Sequence, residues 1–261
     1  MIIYSRVGEI FFKQMMSQTQ KKVLRIIEDL KEHLNYLKLF GFQEIPVNIP
    51  SFENFRKNDV PKKPLTNKSL TLSEIKEELG DCRRCKLFST RTHIVFGVGN
   101  ENADIVFVGE GPGQEEDKQG IPFVGRAGQK LTEIIEKGMG LKRRDVYICN
   151  IVKCRPPNNR DPEEDEIEAC RSFLEKQIKA INPKVIVALG KPASSTLLGR
   201  NVAITRERGT WHSFQGYQVM LTFHPAYLLR FYTNENRRLV WEDMKKALSA
   251  ILTISNQSKK K

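Results

Sequence analysis

A glycine-rich turn, Gly109-Glu110-Gly111-Pro112-Gly113, directly follows a buried-strand pattern over residues 103–108. Glycine lacks a Cβ atom, so the backbone N–H groups of such a turn can approach a ligand closely. A few residues later Phe123 stands between a proline and a glycine, where its ring can stack on a flat ligand. Because open α/β sheets bind ligands at the carboxyl ends of their strands, this segment predicts a binding site at a sheet edge.

Strand patterns alternate with helix patterns from Leu72 onwards. Strands are predicted over 104–109, 145–152, 184–190 and 217–223, and helices over 124–138, 162–180, 192–198 and 235–253. Asp161 is expected to cap the helix that begins at Pro162. Alternation of this kind indicates an α/β fold. We predict a three-layer α/β/α domain over residues 71–255 with a central, mainly parallel four-stranded sheet.

The first 70 residues differ from the rest of the chain. Residues 21–40 carry apolar side chains at helical spacing, and residues 45–68 are rich in proline, asparagine and lysine. We therefore predict a helical N-terminal extension with a linker at 1–70, and a basic C-terminal tail at 256–261. The extension is a candidate for docking a repair or replication partner.

The chain is strongly basic, with 261 residues, a net charge of +12 and a pI of about 9.5. Such a charge suggests a polyanionic partner such as nucleic acid, although a solvated lysine-rich surface gives the same value. No segment reaches the roughly 18 apolar residues that a membrane span needs. We expect a cytoplasmic monomer that does not contact membranes.

Four of the five cysteines could form one metal site. Cys82 and Cys85 form a C-x-x-C pair, whereas Cys154 and Cys170 stand singly. Thiolates hold zinc or an iron–sulfur cluster, and single third and fourth ligands favour the cluster. Unrelated cysteines remain the alternative, because one C-x-x-C pair is common. Cys149 lies inside an apolar strand and is expected to be a small buried residue.

Polar side chains follow two further strands. Asn150 lies near the end of the second predicted strand, and its amide could read the edge of a base. His224 lies at the end of the last strand, where its imidazole could donate to an oxygen that gains charge. Beyond it, an apolar wedge beside a phosphate contact could be formed by Tyr227, Leu228, Leu229 and Arg230. Each of these residues taken alone has a structural interpretation as a turn, loop or core residue.

Taken together, four segments resemble the family 4 uracil-DNA glycosylases, the iron–sulfur type. They are DCRRC at 81–85, GEGPGQEEDKQGIPFVGRAGQKL at 109–131, NIVKCRPPNNRDPEEDEIEAC at 150–170 and TFHPAYLLR at 222–230. The resemblance covers roughly residues 72–253, and the combined order and spacing of the segments are highly specific. The N-terminal 70 residues lie outside it.

The resemblance implies a cofactor and a set of site residues. The ligands of a structural [4Fe–4S] cluster would be Cys82, Cys85, Cys154 and Cys170. Glu110 and Gly111 match the first uracil-site motif, and Phe123 matches the aromatic residue that stacks on the flipped base. Asn150 would read the uracil edge and His224 would face uracil O2. The segment inserted into the duplex would be residues 226–230.

The implied reaction is hydrolysis of the N-glycosidic bond of a uracil flipped out of DNA, which leaves an abasic site. No lysine is placed for Schiff-base chemistry, so a monofunctional enzyme is predicted. The residue that positions water stays open between Glu110 and Glu116, with Glu116 as the catalytic candidate. Two alternatives are a uracil- or abasic-DNA binding module without turnover and an iron–sulfur redox sensor that binds DNA.

Overall fold

The computed structural model describes residues 70–258, with side chains through residue 254. The chain divides into two units, Met1–Leu65 and Thr66–Lys261, and the described residues all belong to the second. The predicted N-terminal extension, apart from Leu70, therefore lies outside the described residues. The last helix continues to Ser258, so the predicted tail at 256–261 begins as helix.

A six-stranded sheet forms the middle layer, in the order β1-β3-β2-β4-β6-β5. Its strands are β1 Val98–Gly99, β2 Ile105–Gly109, β3 Tyr147–Asn150, β4 Val185–Leu189, β5 Trp211–Phe214 and β6 Tyr217–Thr222. The four predicted strands form the parallel centre, which confirms the mainly parallel sheet. Two antiparallel edge strands, β1 and β5, were not predicted, because one is two residues long and the other is largely exposed.

Helices cover both faces of the sheet. In the described part of the chain they are α1 Leu72–Leu79, α2 Gln114–Gln119, α3 Arg126–Glu133, α4 Glu164–Ile181, α5 Gly190–Leu198, α6 Ile204–Glu207, α7 Pro225–Arg230 and α8 Asn234–Ser258. A π-helical turn, Ile134–Gly138, continues α3 directly and completes the helix predicted at 124–138. None of the described helices combines the length and apolar character that a membrane-crossing segment requires.

The core is divided by the sheet into two apolar clusters. Val106 and Val108 of β2 pack with α1, α4 and α5 on one face, whereas Ile105 and Phe107 pack with α3 and α8 on the other. Successive strand side chains point to opposite faces, so a strand covered on both sides is apolar throughout. This arrangement is the predicted three-layer α/β/α fold.

Helix α4 begins two residues later than predicted. Glu163, not Asp161, is the N-cap, and a reciprocal capping box joins it to Glu166. Arg160 donates to both carboxylate oxygens of Glu166, at 2.8 and 2.6 Å. The capping box satisfies backbone N–H groups at the helix start and the ion pair holds Glu166 in place, so Glu163 and not Asp161 caps the helix.

A buried carboxylate joins α8 to the end of β6. Asp243 is fully buried and accepts hydrogen bonds from Arg208 Nε at 2.9 Å and from Thr222 Oγ1 at 2.7 Å. Thr222 is the last residue of β6, two residues before His224. This network therefore fixes the strand end from which His224 projects.

We expect Asp243→Asn to destabilise the fold by about 3–5 kcal/mol, because it leaves the Arg208 guanidinium without its buried counter-charge. The adjacent Glu242 makes an exposed ion pair with Arg238, so the matched control Glu242→Gln should cost about 1 kcal/mol or less. Urea unfolding of both variants measures the difference. Equal losses would contradict a special contribution from the buried pair.

Candidate functional site

A cavity of about 480 Å³ opens at the carboxyl ends of the parallel strands. The parallel register of β2 and β3 pairs Gly109 with Asn150, so the glycine-rich turn and the asparagine meet at this edge. Most of the residues predicted from the sequence line the cavity: Glu110, Gly111, Glu116, Phe123, Asn150, His224, Tyr227 and Arg230. Its size lies within the range of about 300–1,000 Å³ typical of small-molecule sites.

The amide oxygen of Asn150 faces this cavity without a partner. Asn150 is 1% exposed, and among the described residues its Oδ1 is the one buried side-chain N or O atom that lacks a hydrogen bond. A Cβ atom at Gly109 would approach this oxygen to 2.4 Å and the Phe123 ring to 2.5 Å. Only glycine at position 109 therefore leaves room beside the oxygen. A buried acceptor of this kind costs free energy unless a ligand supplies the donor.

Glu116 holds the loop that carries Phe123. Its Oε1 accepts the backbone N–H groups of Val124 at 2.9 Å and Gly125 at 2.8 Å. Phe123 itself has a left-handed backbone with φ of +55°, which is unfavourable for a non-glycine residue. The carboxylate therefore stabilises a strained loop, and one of its two oxygens is already occupied.

Arg143 holds the same loop from its carbonyl side. Its Nη2 donates to the carbonyl oxygens of Pro122 at 2.8 Å and Phe123 at 3.0 Å, and its Nη1 donates to Thr132 Oγ1 at 2.9 Å. On the neighbouring turn of α3, a Cβ at Gly128 would overlap the Phe123 carbonyl at 1.9 Å. Charged groups of opposite sign and a close backbone contact thus fix the position of the Phe123 ring.

His224 presents a neutral imidazole with a defined tautomer. Its Nδ1 accepts the backbone N–H of Ala226 at 3.1 Å, so the proton of the neutral ring lies on Nε2. Burial, helped by the nearby positive charge of Arg230, lowers the pKa of His224 to about 4. The ring centroid lies 5.7 Å from that of Phe123. A hydrogen-bond donor and an aromatic face therefore meet at one end of the cavity.

The carboxyl groups of Glu110 and Asp161 lie close together in the cavity lining. Burial raises the pKa of Glu110 to about 7, and both the charge of Asp161 and a hydrogen bond to it add to this shift. Both residues line the cavity. Near neutral pH, Glu110 can therefore exist with or without its proton, as a general base requires.

The segment predicted as a wedge is helix α7. Leu228 is buried in the core, and the Tyr227 ring stacks on Phe223 with centroids 4.5 Å apart. Because one face of this short helix packs inward, Leu228 is not exposed for insertion in this conformation, and its DNA-binding role stays a prediction. Leu229 is half-exposed and Arg230 is exposed, so these two side chains face outwards.

The four predicted ligand cysteines gather in the apolar cluster on the face of the sheet that α1 and α4 cover. Cys82, Cys154 and Cys170 are buried in one apolar cluster, and Cys85 packs against it. Each sulfur accepts an N–H donor: Cys82 from Arg84 Nη1 at 3.3 Å, Cys154 from Arg91 Nη1 at 3.4 Å, Cys85 from the Leu87 backbone and Cys170 from the Lys153 backbone. Donors aimed at every sulfur are typical of cysteines that act as metal thiolates.

Burial and mutual repulsion both act on the thiols of this site. Burial raises the pKa of Cys85, Cys154 and Cys170, to about 11 for Cys154, and repulsion between the cysteines adds to the shift. Among the described residues, no group of three or more His, Cys, Asp or Glu is arranged around a single ion. The mutual repulsion indicates that the four thiols lie near one another.

Lys153 connects the cysteine site to the cavity. It is 1% exposed, and its Nζ donates to the carbonyl oxygen of Asn150 at 2.7 Å and to Gln177 Oε1 at 2.6 Å. Gln177 lies two turns after Cys170 on α4. The lysine therefore fixes the end of β3 between the asparagine and the cysteines.

Sequence reasoning did not predict Arg143, Asp161 or Lys153 as site residues. Arg143 acts across 20 residues of chain, and no local pattern indicates that contact. Asp161 is predicted from the sequence as a helix cap, and its contact with Glu110 crosses about 50 residues of chain. Lys153 directly follows an apolar strand pattern and precedes a predicted ligand cysteine, and this position could have indicated its burial.

Comparisons to known proteins show the family of the chain. The family model described as "Uracil DNA glycosylase superfamily" matches residues 96–245. The chain is 54% identical over 181 residues to the "Type-4 uracil-DNA glycosylase" of Thermotoga maritima, covering 68% of this chain and 93% of the relative. Proteins of the same name from Sulfurisphaera tokodaii and Saccharolobus solfataricus are 46% identical over 191 residues and 45% over 189, covering 70% and 69% of this chain and 86% of each relative. The chain therefore belongs to the uracil-DNA glycosylase superfamily and, within it, to the type-4 family.

Proposed function

We propose that the protein removes uracil from DNA by hydrolysing the N-glycosidic bond of a nucleotide flipped into the cavity. The observation that carries this proposal is the unpartnered Oδ1 of Asn150, buried beside Phe123 and His224. Uracil offers an N3–H donor for that oxygen, a flat face for the Phe123 ring and carbonyl oxygens that accept hydrogen bonds. The name of the type-4 relatives agrees with this chemistry.

His224 stabilises the leaving group. When the C1′–N1 bond breaks, its electron pair leaves with uracil, and negative charge develops on the uracil oxygens. The Nε2–H of the neutral imidazole donates a hydrogen bond to uracil O2, and this hydrogen bond strengthens as the negative charge on the oxygen grows. Because the pKa of His224 is about 4, the ring stays neutral and keeps this donor through the physiological range.

Glu110 is the better placed of the two candidates for positioning water. Glu116 already uses one carboxylate oxygen to hold the Phe123 loop. Above a pH of about 7, the Glu110 carboxylate can accept the proton of a water molecule whose oxygen adds to C1′. No lysine lines the described cavity, which supports hydrolysis without Schiff-base formation.

Helix α7 and the basic surface suit a DNA duplex. Leu229 and Arg230 face outwards beside the cavity, where an apolar wedge and a phosphate contact would hold the duplex open. The net charge of +12 favours association with the phosphate backbone.

The four gathered cysteines fit a [4Fe–4S] cluster. Thiolates are its usual ligands, and the N–H donors on all four sulfurs would stabilise their negative charge. When bound, the cluster would join the 82–85 turn to β3 and α4, which supplies a structural link behind the cavity.

The first test uses single-turnover excision from an oligonucleotide with one uracil, followed by hot alkali to cleave abasic sites. His224→Ala and Asn150→Ala should each slow excision about 10²–10³-fold, because each removes a hydrogen bond that the departing uracil needs. His212→Ala is the control, because His212 does not line the cavity. Strand cleavage without alkali would argue for lyase activity. Tight binding of uracil-DNA without any cleavage would instead support the binding module.

The second test follows the pH dependence of excision. The rate should rise with pH through about 7 as Glu110 loses its proton. Asp161→Asn removes a neighbouring negative charge, so the pKa of Glu110 should fall and the rising limb should move to lower pH. The exposed Asp145→Asn serves as control. An unchanged limb in the Asp161 variant would exclude Glu110 as the titrating base.

The third test concerns the cluster. Cys170→Ala should lower the iron content and the visible absorption of the purified protein, because one of four ligands is lost. Cys149→Ala is the matched control, since Cys149 is fully buried in β3 and burial raises the pKa of its thiol. Equal iron loss in both variants would contradict this ligand assignment.

A further inference from the structure

A second groove lies on the other side of helix α7 from the candidate active site. Ala226, Tyr227 and Arg230 face the cavity described above, whereas Leu228 and the following Tyr232 line a separate concavity of about 490 Å³. We call it the α7 groove; the residues that matter here are Ile134, Lys137, Leu228, Tyr232, Arg237 and Trp241. Nothing in the proposed reaction uses it.

The groove has an apolar floor and aromatic walls. Leu228 is buried at its base and Ile134 is half-buried. Tyr232 and Trp241 are 57% and 39% exposed, values that are large for aromatic side chains. Gly138, the last residue of the π-helical turn, lies against the Trp241 ring, because a Cβ there would be 3.8 Å from the ring. Turns of this type are frequent at functional sites.

Positive charge surrounds the groove. Lys137 and Arg237 make no ion pair within 4 Å among the described residues, and the Arg237 guanidinium lies 5.2 Å from the Tyr232 ring centroid. The acidic residue in the lining, Glu133, is paired with Lys130 at 2.5 Å. Lys137 and Arg237 act on Glu133 only at longer range, and it is the one acid against four cations in the described lining. Flat apolar surfaces combined with this excess of positive charge suit a nucleic acid strand, which supplies bases and phosphates together.

The position of α7 beside the cavity indicates which strand of the DNA duplex the groove would bind. In the proposed function this helix enters the duplex where the uracil nucleotide has left, and the uracil pocket lies on one side of it. In that arrangement, a groove on the opposite side of the same helix would face the complementary strand. We propose that the α7 groove binds the complementary strand at the orphaned position, with the unpaired base against Tyr232 and Trp241 and the flanking phosphates on Lys137 and Arg237. This inference rests on the proposed function.

The test compares one uracil-containing sequence as duplex and as single strand, in single-turnover assays of wild type, Tyr232→Ala, Arg237→Ala and Lys137→Ala. Each variant should lose roughly tenfold in kcat/KM on the duplex and little on the single strand, which has no complementary strand to bind. For the two charge variants, the slope of log affinity for duplex against log salt should fall by about one. Lys179→Ala is the control, because Lys179 is exposed at the end of α4.

The single strand separates the two proposals. Wild type that excises uracil from neither substrate would overturn the proposed function itself. If wild type excises uracil from both substrates and the variants lose activity equally on duplex and single strand, only the complementary-strand assignment is overturned. If the variants lose activity on neither substrate, that assignment is also overturned, and an acidic peptide becomes the better occupant of the groove. If Tyr232→Ala lowers the Tm, the comparison of duplex with single strand rests on Lys137→Ala, because Lys137 is exposed and its removal should not affect folding. As a second readout, 2-aminopurine opposite the uracil should be quenched by wild type and less by Tyr232→Ala.

Discussion

The parallel pairing of β2 with β3 is the constraint on which the candidate site depends. Its register sets Gly109 opposite Asn150, at the edge where both strands end. A side chain at position 109 would collide with Asn150 Oδ1 and with the Phe123 ring, so three distant parts of the chain meet around one missing Cβ atom. The cavity, its unpartnered acceptor and its aromatic wall all follow from this contact.

The walls of the cavity are rigid because charged side chains hold backbone atoms. Glu116 binds N–H groups and Arg143 binds carbonyl groups of the same short loop, which keeps Phe123 in a left-handed conformation. The Ala226 N–H similarly fixes the tautomer of His224. Such preorganisation means that hydrogen bonds need not rearrange as charge develops on a leaving group. It also gives Glu116 a positioning role in the site.

The cysteine site is connected to the carboxyl end of β3 through Lys153. Lys153 binds the carbonyl of Asn150, Gln177 binds Lys153, and the backbone of Lys153 donates to Cys170. A buried lysine whose contacts are neutral groups is costly, and negatively charged thiolates nearby would offset that cost. The proposed cluster is therefore connected by direct contacts to Asn150, the residue proposed to read the base.

The sequence by itself determined the α/β alternation, the four parallel strands, the position of the glycine turn and the set of cysteines, because hydrophobic periodicity and motif spacing are local properties. It also indicated Asn150 and His224, since both stand at strand ends. Tertiary structure decided the edge strands, the capping of α4 by Glu163, the burial of Leu228 and the partnership of Glu110 with Asp161. It also decided that Arg143 and Lys153 belong to the site, and that α7 has a second groove. These features depend on contacts between residues far apart in the chain, and neither propensity nor spacing encodes such contacts.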